Sequence, residues 1–242
     1  MDELRLSARG VTRVFPGGAG VHGVDLDVEA GQVHALVGLN GAGKTTLMRL
    51  VLGMLQPDAG TVRIDGRDLR DADTTTWRRV GHLIDYPLIY SELDVTANLA
   101  MAARLHGVDA AALPATIERA LADLDVGRYS EVRAGVLSSG NRQRVGLAGV
   151  LAHEPDLIVV DEPTNALDPA AVIRLRDLLR ERADRGAGVL VSSHHLDEVA
   201  RIADRISVMN SGRLIGTLNP GGVDLERAFF TLVHADDERR AT

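Results

Sequence analysis

The segment Gly38-Leu-Asn-Gly-Ala-Gly-Lys-Thr-Thr46 constrains this chain more than any other, because a nearly apolar run, Val33-His-Ala-Leu-Val37, leads straight into it. From Gly38 to Thr45 it fits Gly-x-x-x-x-Gly-Lys-Thr, and a stretch with helical spacing follows. Glycines let such a loop wrap so that its backbone N–H groups and the amino end of the helix face the β- and γ-phosphates of a nucleotide. Lys44 would add a point charge, and the Thr45 hydroxyl would ligate Mg²⁺. The 27 basic residues are 26 Arg and a single Lys, and that Lys is Lys44. The plainer reading, a Gly-rich turn with an exposed lysine, fits the strand-to-helix context poorly.

Around this loop the chain alternates. Residues 4–14 and 24–28 read as half-buried antiparallel strands joined across Pro16-Gly-Gly-Ala-Gly20. After the loop a helix carries Leu47, Leu50, Val51 and Met54 on one side, and Gln56-Pro-Asp-Ala-Gly60 breaks it before a strand with Val62 and Ile64 that returns to the antiparallel layer. Val80-Gly-His-Leu-Ile84 is strand-like. Residues 94–152 then show Ala and Leu at helical spacing, with breaks at Gly107, Pro114, Gly127 and Gly135, and read as an inserted helical subdomain. Strand and helix alternate again from Leu157, with a helix over 170–184, a strand at Gly188–Ser192, a helix from about 195 and a strand at Ile206–Met209. This order implies βαβ units and a parallel sheet. Asn210-Ser-Gly212 reads as a hairpin turn, and Leu225–Val233 as a short terminal helix within a tail over 219–242.

Composition narrows the function. A chain of 242 residues, 45% hydrophobic and 25% charged, suits one large α/β domain with a small appended subdomain, or at most two compact ones. No apolar run nears the roughly 18 to 20 residues that span a bilayer. Met-Asp-Glu-Leu-Arg-Leu lacks a basic segment followed by an apolar one, so the expectation is a cytoplasmic protein. Zero Cys excludes a disulfide framework, a thiolate zinc site and a cysteine nucleophile. With 34 acidic against 27 basic residues the net charge is −7, which argues against nucleic acid as a partner.

A second chemical element is Leu157-Ile-Val-Val-Asp161-Glu162-Pro163, an apolar strand ending in adjacent carboxylates at the edge where open α/β sheets bind ligands. Asp161 would hold Mg²⁺ directly or through water, and Glu162 would orient or deprotonate the water that attacks the γ-phosphate. Taken alone, such carboxylates are usually solvated caps. Downstream of a phosphate loop they become candidates for catalysis.

Together these motifs resemble those of the nucleotide-binding subunit of ATP-binding cassette (ABC) transporters, over essentially the whole chain. The resemblance implies a RecA-like P-loop NTPase core with an antiparallel β layer and an inserted α-helical subdomain, all within one domain. Leu137-Ser138-Ser139-Gly140-Asn141, followed by Gln143-Arg144, resembles the family signature Leu-Ser-Gly-Gly-Gln with its Gln-Arg pair. Ser139 and Asn141 are departures. Ser138 can cap a helix whose amino end the family presents to the γ-phosphate held by the opposite subunit. Thr164-Asn-Ala-Leu-Asp168 resembles the loop that couples two active sites, and Asp168 also suits the amino cap of a helix starting at Pro169. His194 matches the histidine that contacts the γ-phosphate, although a lone His at a strand end is more often structural; His195 is given no role. Phe15, 23 positions before Gly38 and one of 7 aromatics, lies where the family stacks adenine, and a buried core Phe explains it nearly as well.

Asp85, in Gly81-His-Leu-Ile-Asp85-Tyr86-Pro87, stands where the family usually carries Gln; an acidic residue there resembles the bacitracin and lantibiotic exporter subgroup. Its carboxylate can ligate Mg²⁺ but reaches one methylene less far than Glu or Gln. Tyr86–Tyr90 lies where the family touches its permease, the plain alternative being an aromatic-bearing loop. The resemblance thus expects ATP and Mg²⁺ lined by Phe15, Gly38, Asn40, Gly41, Ala42, Gly43, Lys44, Thr45, Thr46, Ser138, Ser139, Gly140 and Asp168. Metal would sit at Thr45, Asp85 and Asp161, with Lys44, Glu162, His194 and Asp85 serving catalysis. It further implies a second subunit joined head to tail, a separate transmembrane permease, and a place at the inner face of the membrane. The short tail resembles that of drug and antibiotic exporter subunits. Repair and chromosome relatives insert long coiled coils between loop and signature, whereas here about 90 residues without heptads intervene. A simple P-loop kinase would not need Leu137–Gly140.

Overall fold

The computed structural model describes residues 3–241. Alternation of apolar and polar residues sets β1 (Leu4–Val14) and β2 (Gly20–Glu29), which pair antiparallel with Leu6 opposite Val28 and Val11 opposite Val24. β3 (Val33–Val37) is buried along its whole length and feeds α1 (Lys44–Val51). β4 (Ala59–Ile64) returns to pair with β1, and β5 (Arg67–Asp68) extends that layer. After α2 (Thr74–Trp77) and β6 (Val80–Leu83) come three helices: α3 (Val95–Leu105), α4 (Leu113–Asp123) and α5 (Ser139–Leu151). The chain continues through β7 (Leu157–Val160), α6 (Pro169–Asp184), β8 (Gly188–Ser193), α7 (Leu196–Ala200), β9 (Arg205–Asn210), β10 (Arg213–Leu218) and α8 (Leu225–Ala241).

Two sheets result: a four-stranded antiparallel one, β2-β1-β4-β5, and a six-stranded one, β10-β9-β3-β8-β7-β6, parallel except at β10. Each face of the larger sheet has its own core. Val33, Ala35, Val37, Ile158, Val160, Val189 and Val191 pack against α3, α5 and α6. Leu36, Leu157, Val159 and Leu190 face α1 and the smaller sheet. Both faces of the central strands are covered, which is why they read as continuous apolar runs. His34 is the exception within β3. It is buried, with Nδ1 2.7 Å from the Asp27 carbonyl oxygen and Nε2 2.9 Å from Ser207 Oγ, and so links the two sheets.

Three local expectations need correction. Met54 is not on the buried helix face, since α1 ends at Val51 and Met54 lies beyond it, half exposed. Pro114 does not break a helix; it sits in the first turn of α4, where a missing N–H costs nothing. The terminal helix does not stop at Val233 but runs to Ala241, and Phe229 and Val233 join the core.

Candidate nucleotide site

The loop after β3 turns through left-handed backbone at Gly41 (φ 83°) and Gly43 (φ 106°), which glycine adopts without steric penalty. Gly43 gives α1 no side-chain cap, and the N–H groups of Lys44, Thr45 and Thr46 have no protein acceptor among the described residues. A helix start left this way suits an anion. Lys44 is buried and folds back over its own loop, with Nζ 2.7 Å from the Gly38 oxygen and 3.4 Å from Glu162 Oε1. Leu39, Asn40 and Gly41 are exposed, whereas Ala42 is buried beneath them.

Asp161 and Glu162 stand at the carboxyl end of β7, beside this loop. Thr45 Oγ1 donates to Asp161 Oδ2 at 2.5 Å. Ser192, fully buried at the end of β8, donates to Asp161 Oδ1 and accepts the Glu162 N–H at 2.9 Å. Glu162 lies in left-handed backbone at φ 47°, as do Asp85 at 63° and Ala166 at 66°. Non-glycine residues rarely adopt it, and such residues gather at functional sites. The second carboxylate oxygen of Glu162 lies 2.7 Å from His194 Nδ1, which leaves Nε2 as the ring nitrogen without a protein bond. His195 lies against His194 with ring centroids 3.9 Å apart and the rings tilted by 41°.

A hydroxyl and a carboxylate in contact at Thr45 and Asp161 are hard oxygen donors of the kind Mg²⁺ takes. Among the described residues no cluster of three or more His, Asp or Glu side chains is placed to hold a metal, so an ion here would draw most of its ligands from phosphate and water. Asp85 pairs with Arg49 on α1 at 2.5 Å, both half exposed. Phe15 is half-buried and belongs to neither core, with the Arg13 guanidinium 5.5 Å from its ring centre.

The other candidates assemble elsewhere. Ser138 caps α5 by accepting the Asn141 N–H at 3.3 Å, and Ser138 and Ser139 are exposed. None of the hydrogen bonds of Ser138, Ser139 or Gly140 among the described residues reaches the phosphate loop. Gly140 packs instead against the 164–168 segment so closely that a Cβ would lie 2.5 Å from the Ala166 oxygen. Gln143 donates to the Pro163 oxygen at 3.1 Å, and Arg144 pairs with Asp168. Asp168 caps α6 through the Ala171 N–H at 2.9 Å; this bond, with Arg144 beside it, holds its carboxyl below the ordinary range. Sequence reading passed over Ser192 and Arg49. A hydroxyl near the end of a fully buried strand, two residues before His194, was the available signal for the first; nothing local marked the second.

A family model described as ABC transporter matches residues 21–165. Daunorubicin/doxorubicin resistance ATP-binding protein DrrA of Streptomyces peucetius is 37% identical over 213 residues, covering 87% of this chain and 64% of that protein. Bacitracin transport ATP-binding protein BcrA of Enterococcus faecalis is 34% identical, over 90% of this chain and 70% of that protein. Ribose import ATP-binding protein RbsA 1 of Rubrobacter xylanophilus is also 34% identical, but this chain covers only 44% of it. This chain thus spans just under two thirds of the Streptomyces relative's length. A solved structure described as the ATP binding subunit of an ABC transporter superposes with a TM-score of 0.83 at 29% identity, over 94% of both chains. CbiO1 of Clostridium perfringens, described as part of the ABC transporter complex cbiONQ, superposes at 0.79 and 26% identity, over 98% of this chain and 97% of that one. With the family model spanning more than half of it and relatives alike over nearly its full length, the chain belongs to the ABC transporter family.

Proposed function

We propose that this chain binds and hydrolyses ATP to power export of a drug, antibiotic or peptide through a separate membrane permease. The observation that carries this reading is the contact chain Lys44–Glu162–His194, at 3.4 and 2.7 Å, beside the Thr45–Asp161 pair. Phe15 stacks the adenine, and Gly38, Asn40, Gly41, Ala42, Gly43, Lys44, Thr45 and Thr46 wrap the phosphates. Glu162 takes the proton of the attacking water, while His194 fixes the carboxylate from one side and Lys44 from the other. Thr45, Asp161 and, once released from Arg49, Asp85 hold Mg²⁺, which when bound neutralises charge on the phosphates.

Ser138, Ser139 and Gly140 complete the site of a second subunit joined head to tail, with Asp168 near the junction. Exposure of that helix start, away from its own phosphate loop, supports this arrangement. A groove of about 300 Å³ between Leu83–Tyr90 and helices α3 and α5, with Tyr86 and Leu88 each 85% exposed, supports docking of the permease. No helix among the described residues is long and apolar enough to cross a membrane. The protein then works in the cytoplasm on the inner face of the membrane, with 94–152 as its helical subdomain and 219–242 as its tail.

Export follows the drug-resistance and bacitracin relatives; import is the second reading, since the ribose relative matches at the same identity as the bacitracin one. Steady-state ATP hydrolysis and gel filtration in MgATP test the core of the proposal. Wild type is expected to turn over ATP, and Glu162→Gln to lose at least about a hundred-fold in rate while trapping an ATP-dependent dimer. Binding of ATP without turnover, even with the permease present, would sink the hydrolytic reading.

A further inference from the structure

The phosphate loop rests its back on the β9–β10 hairpin. A Cβ on Gly38 would lie 2.4 Å from the Met209 oxygen, and one on Gly43 would lie 2.9 Å from Met209 Cε and 3.3 Å from Gly212 Cα. Gly212 donates its N–H to the Ala42 oxygen at 2.8 Å, so the turn is bonded to the loop as well as packed beneath it. This hairpin lies at the edge of the six-stranded sheet, β10 having a strand neighbour on one side only. An edge hairpin moves easily unless something outside the sheet holds it.

β2 holds its turn, His22 donating its N–H to the Gly212 oxygen at 2.8 Å, and the C-terminal helix holds the end of β9. Asn210, the last residue of β9, donates from Nδ2 to Asp236 Oδ2 and to Asp237 Oδ1, each at 2.8 Å. Asn210 and Asp236 are both buried. Arg240 closes the cluster at 3.2 Å from Asp236 and 2.6 Å from Asp237. Two carboxylates facing one amide leave no choice about its orientation, since the flipped amide would set oxygen against oxygen. Charged hydrogen bonds of this kind are shorter and stronger than neutral ones.

We propose that α8 sets the position of the phosphate loop through this clamp, with Asn210 and Asp236 as positioning residues for nucleotide binding. The inference rests on the reading of the loop as the ATP site. Loop N–H groups must converge on phosphate oxygens, and the loop has no slack toward the hairpin, so a displaced hairpin misplaces them. The clamp therefore acts on ground-state binding and leaves the Glu162 chemistry alone.

Titration of MgATP against the full chain tests this for wild type, Asp236→Ala, Asp236→Asn and Asn210→Ser, each with its thermal melt. Asp236→Ala and Asn210→Ser are expected to raise the MgATP Kd about ten-fold, the effect of one lost charged hydrogen bond transmitted to the site. In steady state KM rises in step, while kcat stays within about two-fold of wild type because no transition-state contact is removed. Asp236→Asn, whose amide oxygen still accepts from Asn210, is expected to restore binding to within about three-fold of wild type. Asn210→Ser makes the same comparison if Asp236→Ala does not fold. A lower melting temperature with unchanged Kd and KM would make the clamp structural only and overturn the proposal. Wild type that binds no MgATP would overturn the nucleotide reading and the clamp together, whereas wild-type binding matched by both truncating variants overturns the clamp alone.

Discussion

Ser192 is where a single hydroxyl has most influence. It donates to Asp161 and accepts the N–H of Glu162, so one side chain sets the aim of both carboxylates. The bond also holds Glu162 in left-handed backbone, which costs a non-glycine residue on the order of 1 kcal/mol. Under the proposed function, in which Glu162 acts in the transition state, Ser192→Ala is expected to lower kcat for ATP hydrolysis about ten-fold with little change in KM. Steady-state kinetics checks this, and a variant with wild-type kcat would remove Ser192 from the chemistry. At this scale the sequence was most legible where chemistry dictates residue type and spacing, as at Lys44, Thr45, Asp161 and Glu162. It was mute about Ser192 and Arg49, because any polar residue at those positions reads as ordinary until the fold supplies a partner. The Arg49–Asp85 pair is such a case, joining α1 to the segment that leads into Tyr86–Tyr90.

Among the helices, α5 carries the closest glycine contact. Gly146 faces Pro87 so tightly that a Cβ would lie 2.2 Å from the Pro87 Cβ and 3.1 Å from its Cα. The helix thereby presses on the segment that follows Asp85, while three residues earlier Gln143 holds Pro163. Gly146→Ala is expected to lower stability by about 1 to 3 kcal/mol through overpacking, even though alanine is the better helix former by about 1 kcal/mol. Chemical denaturation measures the difference, and an unchanged or raised midpoint would show that Tyr86–Tyr90 gives way freely. Periodicity marked 94–152 as helical without separating this helix from its neighbours. It missed the role of Pro114 as a helix starter, and it ended α8 eight residues early, because the polar last turns of that helix repay their order only through partners such as Asn210 on another element.

Across the whole molecule, His34 is a buried link between the sheets, and it makes stability depend on pH. Burial pushes its pKa down from 6.5 to about 4, the hydrogen bond to the Asp27 carbonyl opposing this only in part. Between these values the unfolded chain binds a proton that the folded chain refuses. Stability is therefore full above about pH 6.5, falls as pH drops toward 4 and levels off below, a loss on the order of 3 kcal/mol from this residue. Burial holds His153, stacked on His106 at 3.8 Å, down to about 3, so it adds a slope of the same sign. Melts from pH 7.5 to 4.5 should show His34→Gln less acid-sensitive than wild type, since glutamine keeps a donor for Asp27 and an acceptor for Ser207 without titrating. Equal slopes would place the acid sensitivity elsewhere.

The sequence by itself determined the class of fold, the strand order along the chain, the phosphate loop and the carboxylate pair. Each rests on short-range rules: apolar runs for covered strands, glycines for the loop, fixed spacing for the chemistry. Only the tertiary structure decided that Ser192 joins Asp161 to Glu162, that Asp85 meets Arg49, and that the C-terminal helix reaches back through Asn210 to the floor of the phosphate loop. These contacts join residues from 26 to 36 positions apart. At such separations side-chain chemistry carries no trace of its partner until hydrophobic packing has brought the two elements together.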